Sequence, residues 1–343
     1  MVPCKYDQAV FMWYENGVLA GIMACHVDDI LYGGSQKFHS EIICKIRSIF
    51  AIGLEEDTNM KYLGLAISQN ASGIQVSTKD YGMSLKEIQL SDLDPCQVPE
   101  FSSEQTTLLK QFCGQVNWLS SQGRPDIAFD CCYIANSLKS GDPRVFSAAN
   151  KVIRKIQNQD VTLTFHNDFD FSSCSVISFC DASFANLPNA GSQGGFLCFL
   201  VDRNGVYCPI AWQSRKVKRV VKSTLAAECL CAVEAAELTV YIAELIRNVF
   251  QNPSMSIDTF VYCDNKNLVN AVHSSTNLDD RRLVIDVSVL RDQLQQNALT
   301  DFVWVSTKLQ LADTLTKQGT SDKQLINVFN KKLLFNFNTI CFE

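Results

Sequence analysis

The sequence lacks any uninterrupted apolar run of membrane-spanning length, and it contains no low-complexity tract and no internal repeat. Its first residues do not have the layout of a signal peptide. We therefore expect a soluble, intracellular protein with no membrane partner. The 343 residues are 47% hydrophobic and 19% charged, which is typical of a globular chain with a sizeable core and not of a disordered one.

Positive charge is not in excess either, because the formal net charge is -6. Proteins that bind nucleic acids are often basic overall, so the charge does not indicate such a partner. It does not exclude one, since an acidic metal site lowers the sum while a local basic surface can still hold phosphates.

Zinc-site spacing is also absent, although the chain contains 15 cysteines. Cys131 and Cys132 are adjacent, and Cys229 and Cys231 are close, but no second pair follows either of them at the separation of a zinc finger. We interpret most of the cysteines as buried thiols in a reducing compartment.

Two apolar runs of strand character end in a carboxylate. Residues 176–183 and 260–265 are rich in Val, Ile, Phe and Tyr, which predicts buried strands, and they present Asp181 and Asp264. Burying an unpaired carboxylate is costly unless a cation neutralises it. The repetition therefore suggests that Asp181 and Asp264 share a cation.

Two predicted helices deliver further acids. Residues 225–250 contain no Gly or Pro and have apolar residues at helical spacing, which predicts a long helix with a Ser or Thr cap and with Glu228 in its first turn. Asp313 lies in a short helix predicted after the strand-like residues 302–305. Carboxylates without His or Cys suit Mg²⁺ or Mn²⁺ better than zinc. The candidate ligand set is Asp181, Glu228, Asp264 and Asp313.

Each of these acids also has a simpler explanation. Asp181 alone fits a turn cap, and Glu228 alone fits a first-turn acid favoured by the helix dipole. Asp264 with Asn265 fits an Asx turn, and Asp313 fits a helix cap or a surface acid. Their joint occurrence in one order of elements favours a shared site.

That order is strand with Asp, two more strands, helix with Glu, strand with Asp, helix, strand, and helix with Asp. Six segments fall in this order, at residues 180–185, 191–195, 210–214, 223–228, 263–265 and 311–317. Together they resemble the ribonuclease H domain of copia-type LTR retrotransposons, which implies an α/β (α+β) fold with a mixed five-stranded sheet and flanking helices. The resemblance also implies that the four acids hold two Mg²⁺ or Mn²⁺ ions.

The first 80 residues contain another pair of acids. Two strands joined by a turn at residues 15–17 are predicted to lead into Asp28 and Asp29. Two adjacent acids in an apolar hairpin should need a metal or a partner. The segment resembles the Tyr-x-Asp-Asp hairpin of copia-type reverse transcriptases, with His26 where the Tyr commonly stands.

Two later segments extend that resemblance. Residues 38–50 predict an amphipathic helix, and residues 60–67 resemble the strand that closes a polymerase palm. The earlier strand with a third polymerase aspartate is expected upstream of Met1. We therefore expect a truncated fragment in which Asp28 and Asp29 are vestigial.

The middle of the chain is predicted to be helical and resembles a thumb and connection region. A helix is predicted over residues 104–121 with Ser102 or Ser103 as its cap, followed by a break at residues 123–126. Further helices are predicted over residues 127–138 and 144–158, and the join to the last domain over residues 161–170. Trp118 and Arg124 are interpreted as packing residues in preference to nucleic-acid contacts.

A basic run between a strand and the Glu228 helix is the candidate nucleic-acid contact, and a solvated hairpin is the alternative. Contact with RNA 2′-hydroxyls could come from Asn265, from Ser183 or from a loop at residues 191–195. No His lies between Val305 and Asp313, so a His proton shuttle is absent there. The candidate binding residues are Arg215, Lys216, Lys218, Arg219, Lys222 and Asn265.

We interpret residues 1–80 as a partial palm, residues 81–168 as the thumb or connection, and residues 169–335 as the ribonuclease H domain. The function implied by the resemblance is two-metal hydrolysis of the RNA strand of RNA:DNA hybrids, alongside the rest of a pol polyprotein, in a cytoplasmic virus-like particle or the nucleus. Two alternatives are DNA polymerisation within a longer pol chain and a non-catalytic, nucleic-acid-binding relic.

Overall fold

The longest apolar strand of the sequence lies at the centre of the largest sheet. This computed structural model describes residues 1–89, 101–138, 141–252, 255–274 and 280–343. The strands of the largest sheet are β9 (Ser173–Leu187), β10 (Gly191–Asp202), β11 (Tyr207–Lys216), β12 (Ser256–Cys263) and β13 (Asp301–Trp304). They lie in the order β11-β10-β9-β12-β13. The pairs β11-β10 and β10-β9 are antiparallel, whereas β9-β12 and β12-β13 are parallel.

One face of this sheet is covered by a long helix, and its small residues explain the close packing. Ala227, Ala232, Ala235 and Ala236 have no exposed surface, so the helix backbone can approach the strands closely. Two further helices complete this side of the sheet. The three helices are α7 (Thr224–Phe250), α8 (Lys266–His273) and α9 (Arg281–Gln295).

The opposite face is covered by the end of the chain. Helix α10 (Lys323–Asn330) is followed by a hairpin of β14 (Phe335–Asn336) and β15 (Cys341–Phe342). Phe335 and Phe342 pack against Phe179 and Phe199 in the core. Ile340 and Phe342, which lie beyond the predicted end of the last domain at residue 335, are therefore packed against its hydrophobic core.

The N-terminal residues form a separate four-stranded sheet. The predicted hairpin is confirmed, because Asn16 and Gly17 both have positive φ and join two antiparallel strands in a two-residue turn. The predicted helix at residues 38–50 is a continuous helical stretch with a π turn at His39–Ile43 between α1 (Gln36–Phe38) and α2 (Cys44–Ile49). The strands are β1 (Val2–Pro3), β2 (Val10–Glu15), β3 (Val18–His26) and β4 (Asp29–Gly34).

The prediction of one strand over residues 60–67 is wrong. Leu63 and Gly64 have positive φ and make a tight turn, so two strands form where one was expected. These two strands belong to another four-stranded sheet, distinct from the N-terminal one. The predicted join at residues 161–170 contains the fourth strand of this second sheet, which pairs with Gly73–Ser77. The strands are β5 (Asn59–Tyr62), β6 (Leu65–Asn70), β7 (Gly73–Ser77) and β8 (Thr162–His166).

The helices predicted in the middle of the chain are present. Ser102 caps the first of them in a capping box with Gln105. The predicted break is a 3-10 turn at Pro125–Ile127, and residues 90–100 and 139–140 of this region lie outside the described residues. The helices are α3 (Lys79–Ser84), α4 (Ser103–Gln122), α5 (Ala128–Ser137) and α6 (Arg144–Asn158).

Arg124 is a packing residue, as predicted. Its guanidinium is buried and donates to both carboxylate oxygens of Asp126, at 2.8 and 2.9 Å, and to the carbonyl of Ile156. Across the described ranges, no helix combines the length and the apolarity that crossing a bilayer requires. The 14 cysteines within those ranges are all free thiols.

Candidate metal centre

Two acids meet because two neighbouring parallel strands run in register. Phe179 on β9 pairs with Tyr262 on β12, so the residues two positions further along, Asp181 and Asp264, come side by side. The sequence pattern predicted Asp181 at the end of its strand. In the structure β9 continues to Leu187, so Asp181 lies within the strand. β12 ends at Cys263, which leaves room for other elements to approach Asp181 from that side.

The third acid is delivered by a short 3-10 helix, Leu311–Leu315, which carries Asp313. Gly195 on β10 pairs with Asp181 and lets this helix approach, since a Cβ there would lie 2.5 Å from Leu315 Cβ. Carboxylate oxygens of Asp181, Asp264 and Asp313 all lie within 4.8 Å of one another. The structure therefore brings these three predicted ligands into one cluster.

The fourth acid reaches the same place from α7. Ser223 caps this helix, and Glu228 is its fifth residue, just past the first turn in which the sequence prediction placed it. Ligand atoms of Glu228, Cys263 and Asp264 lie within 4.8 Å of one another. Asp264 thus belongs to both clusters, and the two clusters form one acidic centre.

Burial and mutual repulsion raise the pKa of the two most buried acids of the centre, Asp181 and Glu228. Asp181 is 2% exposed, and desolvation raises its pKa to about 6 against the opposing effects of Lys317 and Thr316. Desolvation, with the nearby charges of Asp181 and Asp264, raises the pKa of Glu228 to about 7. These carboxyls hold protons at a pH where ordinary Asp and Glu are ionised, so the centre favours added positive charge.

Sequence reasoning missed three side chains of the centre. The Lys317 ammonium lies 2.6 Å from Asp313 Oδ1 and 3.4 Å from Asp181 Oδ2. The Thr316 hydroxyl donates to Asp181 Oδ2, and the Cys263 thiol lies 3.8 Å from Glu228 Oε2. All three are sequence neighbours of the acids, and the i, i+4 spacing of Asp313 and Lys317 was the signal available for the lysine.

The surroundings of Asp264 hold that side chain in place. The Thr307 hydroxyl donates to Asp264 Oδ2 at 2.8 Å, and the Trp304 indole donates to its backbone carbonyl at 3.0 Å. Asn265, a predicted nucleic-acid contact, caps α8 by accepting from the backbone N–H groups of Asn267 and Leu268. Its side-chain oxygen is therefore engaged within the protein.

The predicted basic run is divided by its ion pairs. Arg215 pairs with Glu234 on α7, and Arg219 pairs with Asp286 on α9, so both guanidinium groups are engaged. The remaining three lysines are exposed at the end of β11 and in the connection to α7: Lys216, Lys218 and Lys222. Residues 191–195, predicted to form a loop, are instead the first residues of β10, because they pair with both neighbouring strands.

Asp28 and Asp29 are not buried. Both are exposed at the turn between β3 and β4, where Val27 has positive φ. The premise that the hairpin buries these two acids is therefore wrong, and water can solvate exposed carboxylates. Among the described residues they belong to no group of three metal-ligating side chains.

The donor set fits a hard divalent cation. Four carboxylates offer oxygen ligands at one end of the sheet, and oxygen is the donor that Mg²⁺ and Mn²⁺ prefer. Lys317 supplies only one positive charge against these four acids. The centre therefore has side chains that could hold a divalent metal.

Sequence comparisons find relatives of this chain among transposon proteins. No protein-family model matches the chain. The retrovirus-related Pol polyprotein from transposon RE2 of Arabidopsis thaliana is 24% identical over 329 residues, which cover 91% of this chain and 22% of that protein. The chain is similar in sequence to transposon Pol polyproteins over most of its own length. It spans about a fifth of the length of these relatives.

Two solved structures are similar to parts of this chain. A foamy viral protease-reverse transcriptase, solved with an RNA/DNA hybrid, is 12% identical, with a TM-score of 0.48 over 88% of this chain and 37% of that one. RNase H1 from Halobacterium salinarum NRC-1 is 17% identical, with a TM-score of 0.31 over 41% of this chain and 94% of that one. The predicted ribonuclease H-like fold is confirmed by its five-stranded mixed sheet and flanking helices. The element order differs from the predicted one at a single place, because two helices, α8 and α9, lie between β12 and β13 where one was expected.

Proposed function

We propose that this chain is a divalent-metal-dependent nuclease that cuts the RNA strand of RNA:DNA hybrids, and that it derives from a copia-type element. The observation that carries the proposal is the convergence of four acids, distant in sequence, at one end of the sheet. Asp264 is shared by two groups of ligand atoms, each within 4.8 Å. A shared ligand is what a pair of neighbouring ions requires.

The acids have separate tasks in this proposal. Asp181, Asp264 and Asp313 would hold one ion, and Glu228 with Asp264 would hold a second. When bound, two Mg²⁺ or Mn²⁺ ions supply an activated water on one side of the phosphorus and stabilise the leaving oxygen on the other. Thr316 and Thr307 orient the carboxylates of Asp181 and Asp264 by hydrogen bonds.

The test of this function is an incubation of the purified protein with an end-labelled RNA:DNA hybrid and Mg²⁺, beside double-stranded RNA and double-stranded DNA. We expect cleavage of the RNA strand of the hybrid and none in EDTA. Hybrid affinity that survives EDTA, with no cleavage in Mg²⁺ or Mn²⁺, would contradict the proposal and would support a non-catalytic binding relic.

Substrate holding is assigned to the exposed lysines of the basic run. Replacing Lys216, Lys218 and Lys222 with Met should weaken hybrid binding and flatten its salt dependence, by up to about 0.9 in the log-log slope for each phosphate that a lysine no longer neutralises. Binding is measured by fluorescence anisotropy in EDTA at several salt concentrations. The matched control replaces three exposed lysines elsewhere in the chain with Met: Lys45, Lys110 and Lys323. Equal salt slopes for the two triple variants would refute the assignment.

DNA polymerisation is not assigned to this chain by itself. Asp28 and Asp29 are exposed and belong to no group of three ligating side chains among the described residues, so polymerisation would require a longer Pol chain. Asp28→Asn should therefore leave hybrid cleavage unchanged within about twofold, the range of a surface substitution. Steady-state cleavage rates check this. A loss of about tenfold or more would show that the hairpin contributes to the nuclease.

A further inference from the structure

The ammonium group of Lys317 lies where the negative charge of the centre is densest. It is 2.6 Å from Asp313 Oδ1, 3.4 Å from Asp181 Oδ2 and 3.5 Å from Asp181 Oδ1. Asp181 and Asp313 also supply two of the three oxygens in one candidate ligand group. The Lys317 ammonium therefore pairs with carboxylate oxygens that a bound metal would need as ligands.

We propose that Lys317 is a built-in counterion that holds Asp181 and Asp313 together until a divalent ion takes over the same oxygens. This inference rests on the proposed function, because it assumes that these acids are metal ligands. Lys317 would be a positioning residue that sets how tightly the first ion binds. Any cation that bonds to these oxygens must displace the ammonium, since like charges repel strongly at such distances.

The local structure allows the exchange without rebuilding the site. The Lys317 side chain is 39% exposed and has a flexible four-carbon stem, so the ammonium can turn into solvent. Its backbone stays fixed, because the Lys317 N–H donates to the Asp313 carbonyl at 3.1 Å. Thr316 remains bonded to Asp181 through its hydroxyl. The carboxylates therefore keep their places while the cation changes.

If Mg²⁺ displaces the Lys317 ammonium, removing that ammonium should lower the stability of the metal-free protein and raise its affinity for Mg²⁺. In EDTA, Lys317→Met should lower Tm, because the acids lose their only nearby ammonium among the described residues. In Mg²⁺, the same variant should bind the ion more tightly, by roughly tenfold, a factor that corresponds to about 1.4 kcal/mol. A lysine that only braces the fold would lower Tm by the same amount at every Mg²⁺ concentration.

The experiment is a thermal-unfolding titration of the full chain with MgCl2, from which the rise of Tm with concentration gives the Mg²⁺ affinity. Lys317→Met is compared with wild type, with Lys317→Arg and with Lys308→Met, an exposed lysine nine residues earlier. We expect tighter Mg²⁺ binding only for Lys317→Met, because Arg retains the charge. An unchanged or weakened Mg²⁺ affinity in Lys317→Met would overturn the proposal.

A second measurement uses the wild-type chain and does not depend on how the variant folds. Amine acetylation followed by mass spectrometry should modify Lys317 more rapidly in Mg²⁺ than in EDTA, with no change at Lys308. Unchanged or slower modification of Lys317 on Mg²⁺ addition would contradict the exchange. If the wild type shows Mg²⁺ binding without these effects, the counterion role fails while the proposed nuclease stands. No Mg²⁺ binding by any variant would instead remove the proposed function.

Discussion

Asp181→Asn is expected to reduce cleavage of an RNA:DNA hybrid by at least about 10²-fold, a loss typical of removing one preorganised charge-stabilising group. Asp181 is 2% exposed and contributes to the oxygen cluster with Asp264 and Asp313. An amide of the same shape removes the negative charge and one oxygen donor. Single-turnover cleavage with saturating enzyme and saturating Mg²⁺ separates this effect from weaker binding of the hybrid or of the metal.

The matched control for this prediction is Asp258→Asn. Asp258 is an exposed acid on β12, six residues before Asp264, so the substitution changes the same charge outside the centre. Its cleavage rate should remain within about twofold of wild type. Equal cleavage by Asp181→Asn and Asp258→Asn would remove the nuclease proposal.

Glu228→Gln is expected to change the pH dependence of stability in the metal-free protein. Desolvation and the charges of Asp181 and Asp264 raise the pKa of Glu228 from 4.5 to about 7, so the folded state binds this proton more tightly than the unfolded state. The resulting stabilisation is complete below pH 4.5 and is lost as the pH rises through 7. The change is about 3 kcal/mol, from 1.36 kcal/mol for each pKa unit.

Glutamine does not titrate, so the variant should lose less stability than wild type between pH 5 and pH 8 in EDTA. Calorimetric unfolding at several pH values measures this difference. The control is Glu237→Gln, an exposed acid on the same helix, which should follow the wild-type curve. Identical pH curves for wild type and Glu228→Gln would show that the Glu228 carboxyl is not held protonated by its surroundings.

Secondary structure was predictable where the local signal and the packing agree. The capping residue Ser102, the unbroken residues 225–250 and the turn at Asn16 and Gly17 are each encoded within a few neighbouring positions. The prediction was wrong at residues 60–67, where an apolar run conceals a tight turn at Leu63 and Gly64. Periodicity cannot distinguish one buried strand from a short hairpin when both are apolar throughout.

Residues 191–195 show a second limit. Their glycines suggested a loop, but Gly195 lies in a strand. A glycine is needed at this strand position because the 3-10 helix with Asp313 passes too close to leave room for a side chain. The reason for that glycine is a contact with residues 120 positions away in the chain, which no local pattern reveals.

The sequence by itself determined which acidic residues lie in or next to apolar elements, and in what order those elements follow one another. Only the tertiary structure decided that β9 and β12 align Asp181 with Asp264, and that Lys317 lies against two of the acids. It also decided that Asp28 and Asp29 face solvent. The physical reason is that burial and distance set the energy of a charge, and both depend on contacts between residues far apart in the chain.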